Sequence, residues 1–291
     1  VLSANLKLEY FSPTGSFKDR GTSVLIKQAH KNGVTEFAED SSGNAGASMS
    51  AYAANIGMKA HIFTPSSTPE NKKNQIKIFG SELHLIDGPR ENSTIEVKKF
   101  TNLTGITYLS HNYNPFFIEG MKSFGEEVFN EFGPEITDIV IPVGNGSLLL
   151  GAKKAYEELI SLKKITRMPK IHCIQVEGFS PIVKKLNNSE WEFDESSKTL
   201  AGGIAVTNPP RINQVVEAVK NSSGIGVEVS ENETISWHRK LARWGFLSEI
   251  TCAAAMAGTE KLIKLGALNK ISNVVIPITG SGLKDIDKVN F

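Results

Sequence analysis

Two near-continuous apolar runs constrain this chain more than anything else in it: residues 138–143 (DIVIPV) and 273–278 (NVVIPI). A strand with one wet face alternates apolar and polar residues, whereas a strand covered on both faces need not. Residues 171–176 repeat the signature. Such runs predict parallel sheets flanked by helices, and the intervening sequence has the matching rhythm. From residue 35 onward, short β runs (37–38, 59–63, 82–86, 107–109) alternate with helical patterns (44–56, 70–79, 93–100), several stopped by glycine at 57 and 80. Phe117, Met121, Phe124, Val128 and Phe132 are spaced for one buried face of a long helix that ends at Gly133-Pro134. Helices are expected again at 148–161, 181–186, 232–243 and 251–265, with an exposed loop at 187–198. The expectation is α/β: two three-layer αβα domains with mostly parallel sheets. One, the small mobile domain, spans residues 35–110; the large one combines 1–34 with 111–291.

Charge narrows the partners. Lys+Arg is 32 and Asp+Glu is 31, a formal net charge of +1, with no cluster of five like charges. Nucleic acid and anionic membrane surfaces are therefore poor partners. No apolar run approaches the roughly 18 residues of a membrane span. Cys173 and Cys252 both sit in apolar segments, as small core residues in a reducing compartment do. The opening residues lack the basic-then-apolar plan of an export signal, so a cytoplasmic protein is expected. The six histidines show no paired ligand spacing, and C-x-x-C, G-x-S-x-G and Walker A patterns are absent, so no metal site is expected.

Four loops carry the candidate chemistry. In Ser12-Pro13-Thr14-Gly15-Ser16-Phe17-Lys18-Asp19-Arg20-Gly21, a Pro/Gly turn precedes a helix over 17–29 that Ser16 is placed to cap. Lys18 then lies at the positive end of a helix dipole, which disfavours the cation and favours the nucleophilic amine. Ser41-Ser42-Gly43-Asn44-Ala45-Gly46 precedes a helix rich in small residues and suits a carboxylate, though it also reads as an N-cap run. Gly144-Asn145-Gly146-Ser147 joins a buried strand to a helix, the arrangement of a phosphate cradle. It lacks the dinucleotide fingerprint: Leu149 stands at the third glycine position, and Glu177 closes the next strand 31 residues beyond Gly146 rather than about 20. Thr279-Gly280-Ser281-Gly282-Leu283-Lys284-Asp285 follows the last buried strand, where ligands of open α/β sheets bind.

These four loops, in this order, resemble the fold-type II pyridoxal-phosphate enzymes, most closely the threonine synthases. That family also holds the serine/threonine dehydratases, the cysteine synthases and the tryptophan synthase β-subunit, whose fold the resemblance implies. The run P-T-G-S-F-K-D-R-G is the threonine synthase form, and S-S-G-N-A-G differs from the dehydratase and cysteine synthase versions. T-G-S-G-L-K-D is similar to the late motif of threonine synthases, with Ser281 where they carry histidine; Ile250 likewise replaces a usual proline after Glu249. The resemblance implies that Lys18 holds pyridoxal 5'-phosphate as a Schiff base and moves substrate protons. It implies that Asn44 meets the ring hydroxyl, that Gly144, Asn145, Gly146 and Ser147 bind the phosphate, and that Thr279 meets the ring nitrogen. Ser41, Ser42, Ala45 and Asn112 would face the substrate.

The implied reaction is a threonine synthase-like lyase step of amino-acid biosynthesis: O-phospho-L-homoserine plus water giving L-threonine and phosphate. Relatives are often homodimers, and the other partner is the small amino-acid substrate. Two departures bear on that substrate. In Asn114-Pro115-Phe116-Phe117-Ile118-Glu119-Gly120, Phe117 replaces the arginine with which threonine synthases help to bind the substrate phosphate, and Ala45 stands where many relatives carry a hydroxyl. An apolar ring cannot replace a bidentate phosphate donor, so Lys122 or another cation would have to compensate. The alternatives are β-elimination or replacement on serine, threonine or phosphoserine, a dehydratase or cysteine/cysteate synthase-like reaction; a non-catalytic small-ligand binding protein; and a nicotinamide oxidoreductase. The N-terminal strand that relatives place before Lys7-Leu8-Glu9 is expected to be largely missing.

Overall fold

The structure, a computed structural model, describes residues 3–41, 43–284 and 286. In chain order it begins with β1 (Ser3–Leu8), α1 (Lys18–Lys31), β2 (Glu36–Asp40), α2 (Asn44–Asn55) and β3 (Lys59–Pro65). Next come α3 (Glu70–Lys77), β4 (Glu82–Ile86), α4 (Arg90–Thr104), β5 (Thr107–Tyr108) and α5 (Pro115–Phe132). Then follow β6 (Asp138–Pro142), α6 (Ser147–Ser161), β7 (Lys170–Val176), α7 (Pro181–Leu186) and α8 (Ile212–Asn221). The described elements close with β8 (Gly226–Val229), α9 (Glu231–Arg243), α10 (Ile250–Lys264) and β9 (Asn273–Ile278). Every strand pair is parallel, as runs buried on both faces require.

Internal packing divides the chain into two units. The first, Val1–Phe11 with Met121–Phe291, holds a five-stranded sheet in the order β1-β9-β6-β7-β8. All five residues of β6 are buried, and α10 presents its small residues Ala253, Ala254, Ala255 and Ala257 to the sheet. Space is tight enough there that a Cβ on Gly258 would meet Ile174. The start of α9 is fixed by a capping box between Ser230 and Glu233.

The second unit, Ser12–Gly120, holds a four-stranded sheet in the order β4-β3-β2-β5. The lobe read from the sequence, 35–110, lies wholly inside it, and 12–34 and 111–120 complete it. Gly120 shows why the second of these belongs there: a Cβ at that position would run into the backbone of Arg20 and Gly21 in α1.

Three expectations change. The N-terminal strand is present, since β1 pairs with β9 from Ser3↔Asn273 to Leu8↔Ile278. Its sequence, SANLKL, is too mixed to announce a strand, and the two-sided cover that β9 needs supplies the reason for it. Strand β8 and helix α8 also emerge from a stretch to which the sequence reading assigned no element. Strand β2 is longer than expected because its last residues, Glu39 and Asp40, are acidic yet buried.

Candidate active site

In the larger sheet the chain runs outward from β6 through β7 to β8, then returns with β9 on the other side of β6. Ligands of such sheets bind beyond the carboxyl ends of the strands, where the winding reverses. The loops leaving β6 and β9 at that reversal begin with Gly144 and Thr279, two of the positions singled out in the sequence. Gly146 has φ +85°, and a Cβ there would collide with Val215. A Cβ on Gly144 would lie 3.1 Å from the Gly203 carbonyl oxygen. The backbone therefore turns tightly into α6, whose first amides lack intrahelical acceptors and carry the positive end of its dipole. Half-buried Asn145 and Ser147 flank them. Thr279 is 3% exposed, and its hydroxyl lies 3.4 Å from the Cys252 sulfur. Burial pushes the Cys252 thiol up to about 11, so Thr279 has an uncharged sulfur neighbour at neutral pH.

The smaller sheet repeats the topology: β2, β3 and β4 succeed one another outward, and β5 returns to the free side of β2. Its reversal is flanked by the loop after β2 with the first turn of α2, which hold Ser41, Asn44 and Ala45, and by the loop after β5, which holds Asn112. The Ser41 hydroxyl accepts hydrogen bonds from the amides of Gly46 (2.9 Å) and Gly43 (3.4 Å), fixing the entry to α2. Asn44 opens that helix and Ala45 is buried. Ser42 lies outside the described residues. The Asn112 amide donates to the Ser110 hydroxyl.

Lys18 is the first residue of α1, after a turn closed by the Gly15 amide on the Ser12 carbonyl at 2.8 Å. Ser16 does not cap this helix. Phe17 occupies the cap position, and the buried Ser16 hydroxyl has no hydrogen-bond partner among the described residues. Order comes instead from Asp19, 3% exposed. Its carboxylate accepts from the Thr14 amide (2.7 Å), the Thr14 hydroxyl (2.6 Å) and the Ser48 hydroxyl of α2 (2.6 Å). The Lys18 ammonium lies 3.7 Å from the centroid of the Phe17 ring.

A buried acid–base pair that sequence reading missed stands at the same edge. Glu39, at the end of β2, accepts from the backbone amide of His111 and is hydrogen-bonded to its Nδ1. Burial, then the neighbouring Asp40, pushes the Glu39 carboxyl well up. Burial, then the charges of Lys18 and Arg90, drives the His111 imidazole well down. Both directions favour protonated Glu39 with neutral His111. Phe117 is fully buried with its ring edge-on to His111, so the position of the expected arginine belongs to the core. Lys122, the candidate replacement cation, binds both carboxylate oxygens of Glu158 at 2.8 and 2.9 Å.

The histidines are not all isolated, as their spacing suggested. Parallel register opposes His61 to Glu82 and Phe63 to His84, and this brings the two imidazoles together across 23 residues of sequence. A cavity of about 560 Å³ opens at the amino-terminal edge of the larger sheet, lined by Asp138, Arg167, Lys170 and Asn269 among others, away from the strand ends that carry Gly144 and Thr279. Among the described residues no helix is long and apolar enough to cross a membrane.

Residues 3–280 match the family model described as pyridoxal-phosphate dependent enzyme. The chain is 30% identical over 287 residues to a threonine synthase of Methanocaldococcus jannaschii, covering 97% of this chain and 71% of that protein. It is 33% identical over 283 residues to a threonine synthase of a Bacillus species, covering 97% and 78%. Its fold is similar to that of the processed threonine deaminase isoform 2 of Solanum lycopersicum, with a TM-score of 0.83 at 18% identity over 99% of this chain and 78% of that one.

Proposed function

The chain belongs to the pyridoxal-phosphate dependent enzyme family, and from that premise we propose that it is a threonine synthase-like lyase converting O-phospho-L-homoserine and water to L-threonine and phosphate. The observation that carries this reading is the turn around Lys18. Asp19, the residue that marks the threonine synthase form of the motif, is buried and holds three hydrogen bonds that fix where Lys18 leaves the helix. Relatives named threonine synthase, at 30 and 33% identity over 97% of this chain, support the same choice.

Each reversal, taken by itself, carries groups that suit part of the cofactor. Glycines without room for a Cβ, and the unpaired first turn of α6, suit a phosphate ester, with Ser147 adding a hydroxyl. Thr279, a hydroxyl rather than a carboxylate, suits an unprotonated ring nitrogen, and Asn44 offers an amide to the ring hydroxyl. Bound pyridoxal phosphate supplies an electron sink for carbanion chemistry next to the substrate amine. Lys18 would hold the cofactor through its aldehyde and would take and return protons at the substrate carbons. The amide-lined entry to α2, set by Ser41, receives the substrate carboxylate. Expulsion of phosphate and addition of water at the β carbon complete the balance.

A second reading, elimination or replacement on serine, threonine or phosphoserine, rests on a specific observation. Neither Phe117 nor Lys122 presents a cation to a substrate phosphate, the one being core and the other held by Glu158. Product analysis separates the two. With cofactor added, O-phospho-L-homoserine should yield equal amounts of L-threonine and phosphate, whereas 2-oxo acid from threonine or serine, without phosphate release from phosphohomoserine, selects the second reading. In either case Lys18→Ala should lower turnover by about 10³-fold or more and abolish borohydride labelling of the peptide that carries residue 18. We further assign the protein to the cytoplasm as a homodimer.

A further inference from the structure

We propose that His61, Glu82 and His84 form a binding site for a borderline divalent transition-metal ion of the Zn²⁺ class, at the amino-terminal edge of the smaller sheet. His61 Nδ1 and His84 Nε2 lie 3.1 Å apart. Glu82 carboxylate oxygens lie 3.5 Å from the first and 3.6 Å from the second. Zinc bonds nitrogen and oxygen donors at about 2.0–2.1 Å, so two ligands of a tetrahedral site stand about 3.3–3.4 Å apart. The two Glu82 separations run to different oxygens of its carboxylate, and one donor atom from each of the three residues lies within 4.8 Å of the others, so small side-chain rotations bring them onto a single tetrahedral ion. The fourth position points to water, because Glu82 is half exposed.

The surroundings prepare these atoms as ligands. His61 Nε2 is 2.8 Å from a Glu36 oxygen, so its proton sits on that side and Nδ1 turns a lone pair toward the other two groups. A carboxylate behind a ligand histidine is the usual outer partner in zinc sites. Phe63 stacks on the His84 ring, with centroids 4.2 Å apart and planes 6° from parallel, and this holds its orientation. Among the described residues the cation that competes for Glu82 is Lys59, 2.9 Å from Glu36 and 3.6 Å from Glu82. Its side chain is 59% exposed and can swing away from Glu82 while keeping Glu36.

The measurement is titration of the purified, cofactor-loaded protein with Zn²⁺ by calorimetry in a non-chelating buffer, repeated with Co²⁺ for its visible d–d bands. One saturable equivalent with a tetrahedral Co²⁺ spectrum is expected. His84→Ala and Glu82→Gln should each weaken binding at least about 10-fold while leaving the thermal midpoint of the metal-free protein nearly unchanged. Lys59→Met should tighten it several-fold, an effect that a merely structural histidine cluster would not produce. His30→Ala, an exposed histidine on α1, should change nothing. Absence of saturable binding, or binding that His84→Ala and Glu82→Gln leave at full strength, overturns the proposal.

Discussion

The two sheets reverse their winding in the same way and equip the reversal in opposite ways. In the larger sheet the loops after β6 and β9 offer backbone amides, glycines and hydroxyls, with Cys252 held neutral beside Thr279. In the smaller sheet the end of β2 and the loop after β5 gather Glu39, Asp40 and His111, and the Lys18 charge is felt at His111. One reversal is shaped by backbone and glycines, with Glu249 buried beside Gly280; the other is built on a titratable pair. Shape comes from glycines with no space for a side chain, so it is rigid and insensitive to pH. Charge comes from groups whose protonation depends on burial and on one another, so it is adjustable. On the function proposed above, the first kind would serve a cofactor phosphate that must stay bound through every turnover, and the second would serve protons that must move.

The comparison can be broken most forcefully at Gly146. Gly146→Val adds a left-handed backbone penalty to a collision with Val215, and the two together should cost about 2–4 kcal/mol of stability. It should also weaken pyridoxal phosphate binding at least tenfold, read by equilibrium dialysis. A variant that binds the cofactor normally would show that the loop is not the cradle.

At the other reversal, Asp19→Asn replaces a carboxylate that accepts three hydrogen bonds by an amide that cannot accept them all. The expected loss is about 1–3 kcal/mol in chemical denaturation, together with reduced turnover, because the residue next to Lys18 loses its anchor. Equal loss of stability with full turnover would separate the Asp19 network from the chemistry.

The smallest effect, and the sharpest test of the adjustable side, is the pH dependence of the Glu39–His111 pair. Folded, the pair carries one proton, since Glu39 is raised and His111 lowered. Unfolded, with ordinary values of 4.5 and 6.5, it carries two protons in acid, one between those values and none above them. Stability rises with pH wherever the unfolded chain holds more protons. The pair's contribution should therefore be greatest between about pH 4.5 and 6.5, falling as acid is added below 4.5 and as base is added above 6.5. Glu39→Gln leaves a neutral His111 that binds no proton when folded. The basic limb should then vanish, and the acid limb should begin near 6.5. Urea midpoints of the two proteins from pH 4 to 9 give the difference profile directly, and a variant that keeps the basic limb would exclude this pair as its source.

Much of the fold was legible in the chain because its signals are local. The apolar runs that became β6, β7 and β9 announce strands covered on both faces, and glycines after helical patterns mark where helices stop. The loops at Lys18, Asn44, Gly144 and Thr279 were legible as motifs, since each is a contiguous run of turn and cap residues. Helix α8, strand β8 and the buried ends of β2 were not. An acidic residue such as Glu39 reads as surface until a partner such as His111 is placed beside it, 72 residues later.

By itself, then, the sequence determined the α/β class, the family and the residues that bear its motifs, because these depend on periodicity and on short spacings along one chain. Only the tertiary structure decided that Asp19 rather than Ser16 orders the turn at Lys18, and that Phe117 is core. It also paired Glu39 with His111 and brought donor atoms of His61, Glu82 and His84, scattered in the sequence, within 4.8 Å of one another. Each of these depends on strand register and on burial. Both are set by which segments share a sheet, and contacts between residues tens of positions apart leave no periodic trace in the sequence.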